Sequence, residues 1–117
     1  MIRIPQYLQG DSIGLTIRMR NADPADYDAD VFLYASSTGH KVRASTTPCG
    51  VCLPLHRQDN GTLVLNIPAD VTRRMDAGMY VMETIYTHRS TGATVTLTDK
   101  VFYLQCAKNI QYEHTHR

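Results

Sequence analysis

The chain has 117 residues, 43% of them hydrophobic and 20% charged, with a formal net charge of +1. A chain of this length buries roughly two-thirds of its unfolded surface, enough for one modest core without staples. The balanced charge argues against a dedicated nucleic-acid surface, which needs a basic excess, and the ordinary hydrophobicity argues against disorder. No stretch approaches the roughly 20 apolar residues of a membrane helix. The opening residues, 1–12, carry no apolar run of signal-peptide length, so synthesis in the cytoplasm without the usual secretion route is the expectation.

The dominant hydrophobic period is two, which signals strands. Met1 to Leu8 reads as a short strand, placed at an edge or interrupted by Pro5, which cannot donate to a ladder. After a turn at Gln9-Gly10-Asp11, Ile13, Leu15, Ile17 and Met19 alternate with Gly14, Thr16, Arg18 and Arg20, so one face covers a core and the other meets water. Asn21 to Asp30 is polar, acidic and contains Pro24, and reads as a loop. Val31 to Ser36 is almost wholly apolar and β-prone, hence a central strand. Ser37 to Gly39 is a turn, and His40 to Thr46 a weaker strand with Val42 and Ala44 on one side.

Thr47 to Gly61 is the least regular part, with a short strand at Val51 to Leu55. Thr62 to Ile67 alternates again, with Leu63, Leu65 and Ile67 facing inward. Pro68 to Ala77 is the one credible helix, about two turns long, started by Pro68 and stopped by Gly78. Met79 to His88 is a long strand with Tyr80, Met82, Thr84 and Tyr86 on one face. Arg89 to Gly92 is a hairpin turn, and Ala93 to Cys106 the return strand, with a break in phase near Asp99-Lys100 that reads as a bulge. Residues 107–117 form a polar tail. The expected architecture is one all-β domain over residues 1–106: an antiparallel sandwich of seven or eight strands with one short helix near residues 68–77. With no tryptophan, the Cys…Trp…Cys core of antibody domains is excluded, while looser immunoglobulin-like sandwiches are not.

Residues that carry chemistry are few. Cys49 and Cys52 have the spacing of a shared metal site or a redox pair, and His56 follows at a plausible distance. A structural zinc site needs four ligands, and only Cys106 or His40 remain to supply the fourth. An odd cysteine count is no disulfide framework; free thiols in a reducing compartment are the default reading, with Cys49 and Cys52 free or loosely paired and a disulfide between them left open. Asp26, Asp28 and Asp30 alternate as in a calcium loop. Val31 and Ser37 stand where that loop needs glycine and glutamate, which leaves a solvated acidic turn. His40, His56, His88, His114 and His116 are scattered, and no nucleophile–base pair can be built from them. Lys41, Arg43, Arg57, Arg73 and Arg74 read as surface charges. Of the seven tyrosines, Tyr27, Tyr34 and Tyr80 belong to the core, and one to three of Tyr7, Tyr86, Tyr103 and Tyr112 to a contact surface. No catalytic, cofactor-binding or metal-binding residue is assigned.

The order of features carries a resemblance. A Gly10-Asp11-Ser12 turn opens an alternating strand, and Ala25 to Asp30 leads into Val31-Phe32-Leu33-Tyr34. Gly61 to Pro68, Val71 to Met75 and Ala77-Gly78-Met79-Tyr80 follow, then a long strand, a Thr91-Gly92 turn and Val95-Thr96-Leu97-Thr98. This order resembles the immunoglobulin-like β-sandwich modules of tailed-phage and prophage tails, nearest the N-terminal domain of upper-baseplate proteins and related short tail-associated proteins, over residues 6 to 105.

The resemblance implies a non-enzymatic structural component that binds itself or other tail and virion proteins as a homo-oligomer. It would bind neither nucleic acid nor membrane. It would be made in the bacterial cytoplasm and assembled into a virion or phage-like particle. The Met1–Leu8 segment is the candidate arm for pairing with another chain. Two alternatives stay open: a bacterial surface or secreted sandwich binding protein or carbohydrate, and a small zinc or redox protein using the Cys49–Cys52 loop.

Overall fold

A computed structural model describes residues 4–18, 23–58 and 62–106. Eight strands form one curled sheet: β1 (Gln6–Leu8), β2 (Ile13–Arg18), β3 (Tyr27–Ala35), β4 (Lys41–Ser45), β5 (Leu53–Arg57), β6 (Thr62–Ile67), β7 (Gly78–His88) and β8 (Thr94–Gln105). Their spatial order is β1-β8-β7-β3-β4-β5-β6-β2. The first and last strands in that order are joined in sequence by the turn at residues 9–12, so the sheet rolls nearly into a barrel. The helix α1 is a single turn, Ala69–Thr72, and a 3-10 turn at Pro24–Asp26 precedes β3.

The all-β expectation stands, but the sheet is mixed rather than antiparallel. β1 runs parallel to β8 (Gln6 beside Tyr103), and β4 parallel to β5 (Ala44 beside Leu53). The second parallel contact arises because the β4–β5 connection crosses between the two halves of the sheet instead of turning back as a hairpin. The first follows from β1 lying along the last strand. The Tyr103 N–H donates to the Pro5 carbonyl (2.9 Å), and the Gln9 N–H to that of Gln105 (3.0 Å). Met1–Leu8 therefore does not offer an arm through Gln6–Leu8, because those residues are already paired within the chain.

Inward-facing positions build one core: Ile13 and Ile17 of β2; Ala29, Val31, Leu33 and Ala35 of β3; Leu63, Leu65 and Ile67 of β6; and Tyr80, Tyr86, Phe102 and Leu104 of the β7–β8 pair. Alternation places each set on one face. At about 25 cal/mol per Å² of apolar surface removed from water, each fully buried large side chain contributes about 1.5–3 kcal/mol. The Tyr80 ring stacks on Phe102 (centroids 5.1 Å, 23° between planes), and Tyr7 meets Phe102 edge-on. Met19 and Arg20 of the expected second strand lie outside the described residues.

Three element boundaries depart from the sequence expectation. β3 starts at Tyr27, inside the stretch read as a loop. Asp28 and Asp30 occupy its outward positions while Ala29 is buried between them, so these two acids lie on one face of a strand, and Asp26 alone keeps the expected turn, in the 3-10 segment before β3. The helix is one turn and not the two expected over 68–77. Thr72 ends it by bonding outside the helix, accepting from the Gly10 N–H (3.0 Å) and donating to the Asp11 carbonyl (2.7 Å), while Met75 turns into the core. β5 runs over Leu53–Arg57 and not Val51–Leu55, because Val51 is held in a tight loop and is 88% exposed. The expected bulge is present. The β7–β8 register shifts between Tyr80–Phe102 and Val81–Lys100, leaving Val101 as the extra residue. At the hairpin tip Gly92 adopts φ +74°, a backbone conformation that favours glycine.

Two buried phenols differ in how their hydroxyls are met. The Tyr80 hydroxyl donates to the Asp76 carbonyl at 2.6 Å. Burial, reinforced by the nearby Asp76 charge, pushes its pKa up to about 12. Burial alone raises that of Tyr86, whose hydroxyl finds no partner among the described residues. An unmatched buried hydroxyl costs about 1–3 kcal/mol, whereas breaking a formed bond orphans its acceptor. Tyr80→Phe is therefore expected to lower unfolding free energy by about 1–2 kcal/mol, and Tyr86→Phe to leave it unchanged or raise it, in urea titrations at neutral pH. Because the fold holds the neutral form of Tyr80, its stabilisation is complete below the unfolded-chain pKa of about 10 and is lost as pH rises toward 12. Melting temperature should fall over that window, and less so in Tyr80→Phe.

Candidate functional site

β3, β4, β7 and β8 present an outer face opposite the core. Register sets its rows: Lys41, Tyr34, Val81 and Lys100 lie side by side, then Arg43, Phe32, Glu83 and Thr98, then Asp30, Ile85 and Thr96. Phe32, Tyr34, Lys41, Glu83 and Ile85 line an open depression of about 520 Å³. The Arg43 guanidinium lies over the Phe32 ring, 5.4 Å from its centroid, and reaches Asp30 at 3.1 Å. This face mixes aromatic, apolar and paired charged side chains, the composition of a protein contact surface.

The acids read as a solvated turn are held by arginines. Asp28 pairs with Arg57 (3.3 Å) and Arg89 (3.1 Å), and Arg57 also donates to the Tyr27 carbonyl (2.7 Å). These pairs are largely exposed, each contributing at most about 1 kcal/mol. They tie β3, β5 and the hairpin tip together. The calcium-loop comparison fails structurally as well, because Asp28 and Asp30 stand on a strand with cationic partners.

A second, smaller depression of about 320 Å³ lies between β4, β5 and α1. His40, Lys41, Arg43 and Arg74 surround Val42 and Val71 there. Asp76 approaches His40 at 3.8 Å.

Cys49 and Cys52 are joined in a disulfide, with Cα atoms 5.3 Å apart, and do not stand as the two free thiols read from the sequence; Cys106 is the free cysteine. The bridge closes the loop that carries the chain from β4 to β5, with the Cys52 N–H donating to the Cys49 carbonyl (3.3 Å). Paired sulfurs are not thiolate ligands. His56 is exposed on β5, and among the described residues no three of His, Cys, Asp and Glu converge on a point that could hold a metal ion. His114 and His116 lie outside the described residues.

The tyrosines sort differently from the sequence reading. Tyr80 is core and Tyr27 packs against it, as expected. Tyr34 lies in the outer depression and not the core, and Tyr86 is buried and not at a surface. Tyr103 is exposed, Tyr7 packs on the core, and Tyr112 is outside the described residues.

The feature that sequence reading missed is the outer edge of β8. β1 pairs with that edge at Tyr103–Gln105, and among the described residues Thr94–Lys100 pairs with β7 alone. The inward-facing side chains of this stretch, Val95 and Leu97, are 47% and 52% exposed, although their partners on β7, Tyr86 and Thr84, are buried. β7 and β8 span 11 and 12 residues, while β5, β6 and β2 span 5, 6 and 6. Among the described residues no helix is long and apolar enough to cross a membrane.

Thiol titration of the unreduced, folded protein is expected to find one reactive thiol per chain, Cys106, and three after reduction in denaturant; three in the unreduced protein would contradict the bridge. The sequence matches no protein-family model and no curated protein, so a functional reading rests on the geometry above.

Proposed function

We propose that this chain is a non-enzymatic, immunoglobulin-like structural module that binds other proteins within a phage or prophage tail assembly, through the open β8 edge and the outer face beside it. The observation that carries the binding role is that uncovered edge. A strand presenting unpaired N–H and C=O groups, flanked by half-exposed apolar side chains, is a template for another chain. The role asks for no metal, nucleic acid or membrane.

Two further observations support the immunoglobulin-like reading. The order β1-β8-β7-β3-β4 followed by β5-β6-β2 supports a Greek-key arrangement in which β3 and β7 are the central pair of the first group. Tyr80, near the start of β7, bonds back to the backbone at Asp76, the arrangement of a tyrosine corner. Met82, two residues beyond Tyr80, stands where an antibody domain has one of its bridging cysteines and packs against the core. The tail assignment rests on the resemblance over residues 6 to 105.

The test is co-expression with the products of the genes flanking its reading frame, followed by sedimentation of assembled particles. The chain is expected in the particles at fixed stoichiometry, and Tyr34→Ala combined with Ile85→Ser on the outer face should reduce its incorporation at least tenfold with folding unchanged. Particles that assemble fully without it, leaving the chain free in solution, would overturn the reading.

A further inference from the structure

We infer that the occupant of the β8 edge is β8 of a second copy, paired antiparallel about a two-fold axis through Thr96. The inference deepens the protein-binding reading above and rests on it. It follows from which backbone groups the edge offers. The His88 N–H donates to the Ala93 carbonyl (2.8 Å), so that pair is a hydrogen-bonded one. Antiparallel pairs alternate, so Val95, Leu97 and Asp99 also turn their amides toward β7, and Thr94, Thr96, Thr98 and Lys100 turn theirs to the open side.

A second strand must meet those outward groups, which restricts the register to a few arrangements. With the axis at Thr96, Thr96 faces its own copy, Thr94 faces Thr98, and each Val95 faces the partner's Leu97. With the axis at Leu97, each Val95 faces Asp99, and with the axis at Thr98, each Leu97 faces Asp99. An axis at Val95 sets Leu97 against Ala93 and shortens the ladder. The axes at Leu97 and Val95 each pair one exposed apolar side chain with its own copy and leave the other without an apolar partner of its size, whereas the Thr96 axis matches both Val95 and Leu97 of each copy, in close non-hydrogen-bonded pairs of about 4.5 Å between Cα atoms.

Charge and protection point the same way. Thr94 to Thr98 carries no charge, so nothing in it selects a charged partner. Natural edges are blunted by proline, lysine or bulges. Here Lys100 and the bulge at Val101 come only where β1 begins to take over, leaving Thr94–Thr98 bare. β2, which ends the sheet on the far side from β1, carries Arg18 at its end and is tied to β1 through the turn at residues 9–12. Pairing through β8 would join two eight-stranded sheets into one and make their outer faces continuous. A strand-only contact falls at the small end of protein interfaces, so a reversible dimer with micromolar dissociation is the expectation.

The experiment is sedimentation equilibrium of the whole chain from about 1 µM to about 1 mM, with oxidative cross-linking in a Cys106→Ser background. Wild type is expected to dimerise reversibly. Thr96→Pro should remain monomeric and folded, since it removes an outward N–H that β7 does not use. Thr96→Cys should cross-link rapidly, its sulfurs brought within bonding reach across the axis. Thr98→Cys, about 14 Å from its own copy in this register, should not. A strictly monomeric wild type would overturn self-pairing yet leave the protein-binding reading to the particle experiment above. Faster cross-linking of Leu97→Cys than of Thr96→Cys, or dimers unaffected by Thr96→Pro, would overturn the assigned register and edge.

Discussion

The pairing of β3 with β7 is the constraint on which the rest depends. Nine consecutive residue pairs, from Tyr27–His88 to Ala35–Tyr80, align the two strands. Their inward positions, Val31, Leu33, Tyr80 and Tyr86, form the centre of the core. A one-residue slip here would turn every one of those side chains to the outer face and bring Phe32, Glu83 and Ile85 inside, placing a carboxylate in the core. The register of the central pair thus fixes both the interior and the identity of the outer surface. It also fixes the hairpin: because β3 pairs with β7 as far as His88, the chain turns back only at Arg89–Gly92.

Much of this was legible from the two-residue alternation. Leu63, Leu65 and Ile67, and Tyr80, Met82, Thr84 and Tyr86, declare their faces without help, and the bulge near Lys100 announces itself as a break in phase. The acidic stretch was misread because composition outweighed phase. Tyr27, Ala29 and Val31 alternate with Asp28 and Asp30, but three aspartates next to a proline look like a loop until arginines from β4, β5 and the hairpin turn are known to neutralise two of them. Those arginines lie 13, 29 and 61 residues away, and no local pattern encodes such distances. The same applies to the parallel pairs β1–β8 and β4–β5, which join segments whose own sequences say only that they are strands.

The Cys49–Cys52 loop shows how one local choice settles two questions. Closing the bridge fixes the tight turn that delivers β5 alongside β4, and it withdraws the two sulfurs from the metal and free-thiol readings that their spacing invited. What the sequence offered as a site for chemistry becomes a clamp at the crossing between the two halves of the sheet. Val51 is left pointing outward beside the basic rim of His40, Lys41, Arg43 and Arg74.

The surface asymmetry follows from the same geometry. Where β1 lies along β8, the edge is satisfied and Phe102 and Leu104 are buried; beyond that contact, toward the hairpin, Val95 and Leu97 are half-exposed. Their half-exposure belongs to the fold, while the absence of charge between Thr94 and Thr98 is a property of the sequence alone. A strand at a sheet edge ordinarily needs one protective device, and the stretch Thr94–Thr98 has neither charge, proline nor bulge, the first charge being Asp99. Under the pairing proposed above, a second strand supplies what this edge lacks over Thr94–Thr98, and Asp99 with Lys100 marks where that pairing ends.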